Sequence, residues 1–275
     1  MTDAAAPKVS GIRTVIVGVS GRMGTQLLRL LPQFPALQLV GAVASERSAA
    51  IGSTVPVGAG RVSISASLPP LLAGADLVID FSTAGAAAAH VAACAGARVA
   101  LLLGTTGLPP ELAAPLAAAA EVIPLLIAPN TSPAVTLLLE LVRESAQRLP
   151  PGYDIEIVEA HHRDKADAPS GTALALGEAA AAGRGSSLSA QAVYGRHGHT
   201  GGRRDGQIGF GVVRGGDVIG EHEVWFLGPG ERLLLKHSAT DRSVFARGAL
   251  LAGQWLAGRP AGRYAMRDVF ISVYR

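Results

Sequence analysis

The run Glu159-Ala160-His161-His162-Arg163-Asp164-Lys165-Ala166-Asp167-Ala168-Pro169-Ser170-Gly171-Thr172 gathers more reactive side chains than any other stretch of the chain. Two histidines, an arginine and a lysine fall within five residues, which brings cationic and proton-donating groups together. Histidine titrates near neutrality and suits general acid catalysis, typically a ~10²–10⁴-fold contribution to rate. The chain has only three lysines, Lys8, Lys165 and Lys236. A lysine here therefore hints at an exchangeable proton, since arginine stays protonated and lysine can be tuned. Ser170-Gly171-Thr172 opens a helix, whose N–H groups and positive dipole end favour an anion by ~0.3–1 kcal/mol. Lys165, a histidine and that helix start make a carboxylate clamp; a solvated loop with an ordinary N-cap would use the same residues. Metal is the rival role. His161 and His162 face opposite sides of a strand, and neither His-Glu-x-x-His nor a Cys/His ligand set exists, so no metal is expected. His90, on an Ala-rich helix, and His222 and His237, in strands, read as structural.

A second candidate site lies near the start. Thr14-Val15-Ile16-Val17 runs into Gly18-Val19-Ser20-Gly21-Arg22-Met23-Gly24 and then into an amphipathic helix. Strand, glycine turn and helix start are what a dinucleotide pyrophosphate requires: positive φ, no Cβ where backbone meets phosphate, and free N–H groups at the helix end. Ser20 stands at the middle glycine of the commonest pattern, and a purely structural glycine turn would look similar. The next strand ends in Ala44-Ser45-Glu46-Arg47. An acid there reads the ribose 2′-OH of NAD and an arginine the 2′-phosphate of NADP, so NADH and NADPH both stay open. Gly104-Thr105-Thr106-Gly107 and Ala128-Pro129-Asn130-Thr131 lie at two further strand ends. Their hydroxyls and carboxamide suit a nicotinamide and its amide, or turns bonded to their own backbone.

The elements that must position these groups follow from the hydrophobic rhythm. Strands are expected at 14–17, 37–43, 77–81, 99–103 and 122–128, with helices at 23–31, 86–95 and 111–120, the last kinked or broken at Pro115. This alternation predicts an α/β, Rossmann-type doubly wound parallel sheet binding its ligand at the carboxyl ends of the strands. Beyond Asn130 come a helix at 133–148, an alternating strand from 154 to 159 and a helix at 170–182. Strands at 207–214, 218–227 and 231–237 follow, the last two joined by Gly228-Pro229-Gly230 as an antiparallel hairpin. This second part reads as an α+β domain with a mixed sheet. A helix at 243–256 is expected to return to the first part, giving domains of 1–130, 131–240 and 241–275, with hinges near 130 and 240.

Composition narrows the class. Across 275 residues, 49% are hydrophobic and 16% charged, which excludes disorder, collagen and coiled coil. Net charge is only +3, and the one dense basic cluster, Arg196 to Arg204, lacks interleaved aromatics, so nucleic acid is not an expected partner. Cys94 is the single cysteine and suits a reducing compartment. The N-terminal run has neither a signal nor an anchor pattern, and the uncharged stretch 81–97 is too weakly apolar for a membrane span, so a cytoplasmic location is expected.

Taken in order, Val17 to Gly24, Ile79-Asp80-Phe81-Ser82, Gly104 to Gly107, the block 159–174, Gly198-His199-Thr200-Gly201, Ile208-Gly209-Phe210, Gly220-Glu221-His222 and Met266-Arg267-Asp268-Val269 make the chain resemble the 4-hydroxy-tetrahydrodipicolinate (dihydrodipicolinate) reductase family along nearly its whole length. The Glu-Ala-His-His block is highly specific to that family. The resemblance implies a homotetramer and NAD(P)H-dependent reduction, with loss of water, of the cyclic imine-type dicarboxylate made by dihydrodipicolinate synthase, in lysine/diaminopimelate biosynthesis. It implies that His161 is proton donor or acceptor and Lys165 proton donor, and that His162, Gly171 and Thr172 hold substrate carboxylate. The cofactor would lie on Gly18, Val19, Ser20, Gly21, Arg22, Met23, Ser45, Glu46, Gly104, Thr105, Thr106, Ala128, Pro129, Asn130 and Thr131. Two departures touch cofactor geometry: the family's Asn-Phe-Ser-x-Gly is Asn130-Thr131-Ser132-Pro133-Ala134 here, and the ribose-reading acid is displaced, with Ser45 in its place. A reductase of a related cyclic imine and a non-catalytic nucleotide-sensing homologue are the alternative readings.

Overall fold

Short apolar runs, too short for helices and punctuated by glycine, proline or an acid, form most of the strands. A computed structural model describes residues 11–273; residues 1–10, most of the N-terminal run considered for a targeting signal, lie outside them. The chain begins β1 (Ile12–Val17), α1 (Arg22–Leu30), β2 (Leu37–Val43), β3 (Thr54–Val57), β4 (Gly60–Ser65), β5 (Leu77–Asp80), α2 (Ala84–Ala97), β6 (Ala100–Leu103), α3 (Ala113–Ala120) and β7 (Pro124–Ile127). It continues α4 (Pro133–Arg148), β8 (Asp154–His161), α5 (Gly171–Gly183), α6 (Leu188–Gln191), β9 (Ala192–Val193), β10 (Ile208–Arg214), β11 (Gly220–Gly228) and β12 (Glu231–Ala239). It closes with α7 (Ser243–Leu256), β13 (Gly262–Tyr264) and α8 (Met266–Val273). Two compact units result, one from residues up to Ser132 together with Ser243 onward, the other Pro133–Arg242.

The first unit is an eight-stranded, mostly parallel sheet in the order β13-β7-β6-β5-β1-β2-β4-β3. Alternate strand residues feed two separate cores. Ile16, Ile79, Leu102 and Leu126 pack with Leu27 of α1 and Ala249 and Leu250 of α7. Val15, Val78, Leu101 and Leu125 pack on the other face with Val91 of α2 and Leu116 of α3. Burial on both faces explains why β5 and β6 are buried at every position. β3 adds an antiparallel edge through Pro56, where a missing donor costs no ladder bond.

Pro115 does not break its helix. A 3₁₀ turn at Pro110–Leu112 leads into α3, and Pro115 falls in the first turn of α3, where N–H groups have no intrahelical partner to lose. None of the helices among the described residues is long and apolar enough to cross a membrane.

The second unit is a mixed sheet in the order β12-β11-β8-β10-β9. β8 alternates strictly between half-buried and buried positions. Its inner residues Ile155 and Ile157 meet Val224 and Phe226 of β11 and, from the helices, Val142 of α4 and Leu176 of α5. The expected hairpin is present, with Gly228 paired to Glu231 and Gly230 at φ +82°. Two arginines of the basic cluster are paired within the unit: Arg196 and Arg203 bind Glu156, and Arg203 also binds Asp154.

One contact in the first unit has little tolerance. A Cβ at Gly24 would lie 2.2 Å from the Gly18 carbonyl oxygen and 2.5 Å from Val19 Cα, both backbone atoms. Gly24→Ala should lower unfolding free energy by about 1–3 kcal/mol, as overpacking does. Urea denaturation with an unaltered midpoint would show that α1 does not sit this close to the turn.

Candidate active site

At the end of β1 the chain turns at Gly18, with φ +84°. A Cβ there would come within 2.5 Å of the Phe81 carbonyl oxygen, so conformation and space both demand glycine. Two cavities open over the carboxyl ends of the strands. One, of about 810 Å³, is lined by Gly18, Ser20, Gly21, Ser45, Glu46 and Arg47. The other, of about 400 Å³, is lined by Gly21, Arg22, Met23, Gly104, Thr105, Thr106, Pro129, Asn130 and Thr131. Gly21, Phe81 and Ser82 border both, making one groove across the point where strand order reverses, between β1 and β5.

Two positions expected on the groove lie behind it. Val19 is buried in the core and its N–H donates to Val43 O at 3.1 Å. Ala128 is likewise buried, its N–H donating to Leu103 O at 2.9 Å. Both support the turns rather than line the cavities. His90 is less remote than its sequence suggests. It borders the larger cavity, with Nδ1 2.7 Å from Oδ2 of the fully buried Asp80.

The groove fits a dinucleotide. Glycine backbone lies at its middle, and Glu46 and Arg47 at one end. At the other end the buried Thr105 Oγ1 has no hydrogen-bond partner among the described residues. An orphaned buried hydroxyl is costly, and a carboxamide supplies both the donor and the acceptor it lacks.

The second cluster is built on β8. Glu159 and His161 are two residues apart on the buried face, continuing the row of Ile155 and Ile157. Glu159 Oε2 is 2.6 Å from His161 Nδ1, and Ser170 N donates to Oε1 at 3.0 Å. Parallel pairing sets Arg214 opposite His161, and its guanidinium donates to both Glu159 oxygens at 2.7 Å. Arg214 also donates to the carbonyls of Lys165 and Asp167, at 3.3 and 2.7 Å, and so pins the loop between strand and helix. Lys165 Nζ donates to both oxygens of Asp167 at 2.8 and 2.9 Å. Ser170 caps α5, accepting from Ala173 N at 3.2 Å, and its Oγ lies 3.0 Å from His222 Nε2. The rings of His222 and His161 meet edge to face, centroids 5.2 Å apart.

Burial works to raise the Glu159 carboxyl, but Arg214, His161 and the Ser170 N–H outweigh it and hold it below the usual carboxylate range. Burial drives His161 down; Glu159 opposes this, while Lys165 and Arg214 reinforce it, and the net shift is downward. Burial, followed by the neighbouring His161, takes His222 down to about 3. Both imidazoles are therefore neutral at pH 7. With Nδ1–H directed at Glu159, His161 keeps Nε2 as its acceptor.

The structure thus gathers His161, His162, Lys165, Gly171 and Thr172 on one strand end, loop and helix start. Sequence reasoning gave no role to Glu159 or Arg214 and set His222 aside as structural. The available signal was Glu159 falling in phase with Ile155 and Ile157, a charge on a face otherwise apolar.

A doubly wound sheet with a dinucleotide groove, carried on one chain with a mixed-sheet unit bearing a histidine and lysine cluster, defines a nicotinamide-nucleotide-dependent oxidoreductase. The families described as dihydrodipicolinate reductase, N-terminus and C-terminus, match residues 12–131 and 134–270. The 4-hydroxy-tetrahydrodipicolinate reductase of Anaeromyxobacter dehalogenans (strain 2CP-1 / ATCC BAA-258) is 48% identical over 261 residues, 94% of this chain and 97% of that protein. That of Myxococcus xanthus (strain DK1622) is 47% identical, covering 94% and 97%. In structure, the dipicolinate-bound dihydrodipicolinate reductase of Paenisporosarcina sp. TG-14 superposes with a TM-score of 0.73 at 24% identity, covering 92% of this chain and 97% of that one. The chain belongs to the 4-hydroxy-tetrahydrodipicolinate reductase family, whose NAD(P)H-dependent reduction serves lysine/diaminopimelate biosynthesis.

The buried histidines make stability depend on acid. His222 has a folded pKa of about 3 against an ordinary 6.5, so the unfolded chain takes the proton first. Its contribution is complete above about pH 6.5 and is lost as pH falls toward 3, in the same direction as His161 and His237. Thermal denaturation should show Tm falling between pH 6.5 and 4, and His222→Asn should flatten that decline. An unchanged slope in the variant would contradict a neutral buried His222.

Proposed function

We propose that His161 and Lys165 manage the proton of this reduction and that His162, Gly171 and Thr172 hold a carboxylate of the ring. NADH or NADPH would lie on Gly18, Ser20, Gly21, Arg22, Met23, Ser45, Glu46, Gly104, Thr105, Thr106, Pro129, Asn130 and Thr131. Residues 1–130 and the returning segment 241–275 serve the cofactor, and 131–240 serve substrate and oligomer contacts. Exposed Val213 and Leu234 on the five-stranded sheet support contacts of the kind a homotetramer needs. The working location is the cytoplasm.

The reading rests above all on the Glu159–His161 pair under the Arg214 fork. In balance, one hydride and one proton enter the ring system and one water leaves. The bound cofactor supplies the hydride. His161, neutral in the free protein, has its Nε2 available to take a proton while Glu159 holds its tautomer. A doubly anionic ring close to that imidazole favours its charged form, so binding itself draws the proton in. Lys165 exchanges Asp167 for the substrate, one carboxylate partner for another. The first-turn N–H groups of α5 add the helix dipole to the same charge.

His161→Ala and Lys165→Ala should each lower kcat by ~10²-fold or more in an assay coupled to the synthase; rates close to wild type would remove them from the mechanism. A separate expectation concerns pH. The apparent pKa of His161 should be higher in the kcat profile, which reports the substrate complex, than in kcat/KM, which reports free protein. In Glu159→Gln both should move down, because the carboxylate that favours the imidazolium is gone; profiles that coincide with wild type would show that Glu159 does not tune His161.

A further inference from the structure

Thr131 follows β7 with its side chain 1% exposed, so it offers the groove little surface of its own. Its hydroxyl instead donates to the carbonyl oxygen of Phe245 at 2.6 Å. Phe245 belongs to the first turn of α7, more than a hundred residues away along the chain, and borders the same cavity as Gly104, Thr105 and Asn130. Two phenylalanines meet this cavity. Phe81 packs against Gly104, where a Cβ would fall 2.3 Å from the ring, so it is engaged by backbone. Phe245 is half-buried and brings an aromatic surface from another element. The orphaned Thr105 Oγ1 marks where the polar edge of a ligand must go.

A planar ring with an amide on its edge uses both features at once: its amide reaches Thr105 and its face or edge meets an aromatic. We infer that Phe245 is the aromatic wall against which the nicotinamide ring lies, and that Thr131 is a positioning residue acting through Phe245. The hydroxyl ties the first turn of α7 to the loop after β7, which fixes the Phe245 backbone relative to Asn130 and leaves the ring two side-chain torsions. The inference rests on the groove being the cofactor site and adds which group meets the reactive ring.

The test compares NADH, followed by its fluorescence, with ADP-ribose, the same dinucleotide scaffold without the nicotinamide, followed by calorimetry. Phe245→Ala should weaken NADH about tenfold while leaving ADP-ribose unchanged, and Phe245→Tyr should keep NADH binding near wild type. Thr131→Val should weaken NADH in the same selective way, and Thr131→Ser, which keeps the hydroxyl, should restore it. Equal losses of both ligands in Phe245→Ala, or no loss of either, would overturn the inference. Wild-type protein that binds neither ligand would instead bring down the groove assignment on which it stands.

Discussion

A carboxylate buried to 1% exposure organises the second unit. Taking such a charge out of water costs several kcal/mol, and it stays ionised only if its lone pairs are filled. Glu159 meets that demand with two guanidinium donors, one backbone N–H and one imidazole. They come from β10, from the residue that caps α5 and from β8 itself, so the requirement of one charge fixes three elements together. β10 must run parallel to β8 in the register that sets Arg214 beside His161. The loop must fold back so that Ser170 reaches Glu159, and α5 must begin where it does. Losing one partner of such a set costs about 3–5 kcal/mol, because a buried charge is left behind.

The same arrangement explains why the apolar face of the sheet ends where it does. Ile155, Ile157, Val224 and Phe226 fill the core with no polar atoms. One residue pair further along, the face carries Glu159, His161 and His222. Those imidazoles sit in surroundings dry enough to hold them neutral, next to a loop dense in cationic groups. In the proposed reaction His161, neutral beside a carboxylate that favours the imidazolium, takes its proton when negative charge arrives. Stability and the proposed chemistry therefore draw on one network.

Local spacing carried a good deal of this. The glycine turn, five of the eight strands of the first sheet and the helix start at Ser170 were legible because each is dictated by neighbours in sequence: positive φ at Gly18, short apolar runs bounded by turn residues, a hydroxyl before a helical run. Arg214 was not legible. It gains its meaning from strand register across more than fifty residues, which no local pattern records. Phe245 was missed for the same reason, being an apolar residue in a helix that packs on the core and meets the groove only at its first turn. The β3–β4 hairpin was hidden by short strands and a proline, tolerated because it lies at an edge. Pro115 reads differently because the same residue breaks a helix interior and is harmless in a first turn, and local pattern does not mark where α3 begins.

The two candidate sites differ in kind, and this bears on the cofactor. The groove is shaped mostly by backbone and small side chains, and its charged residues Glu46 and Arg47 are both exposed. An exposed charge interacts through water, where such contacts contribute only about 0–1 kcal/mol. In the proposed placement of the cofactor, Glu46 therefore favours a ribose hydroxyl weakly and Arg47 a phosphate weakly, and neither excludes the other's ligand. Strong discrimination would need one of them buried and paired as Glu159 is. A family that uses NADH or NADPH is consistent with this division, in which the proposed proton site is built from rigid electrostatics and the proposed nucleotide groove from shape.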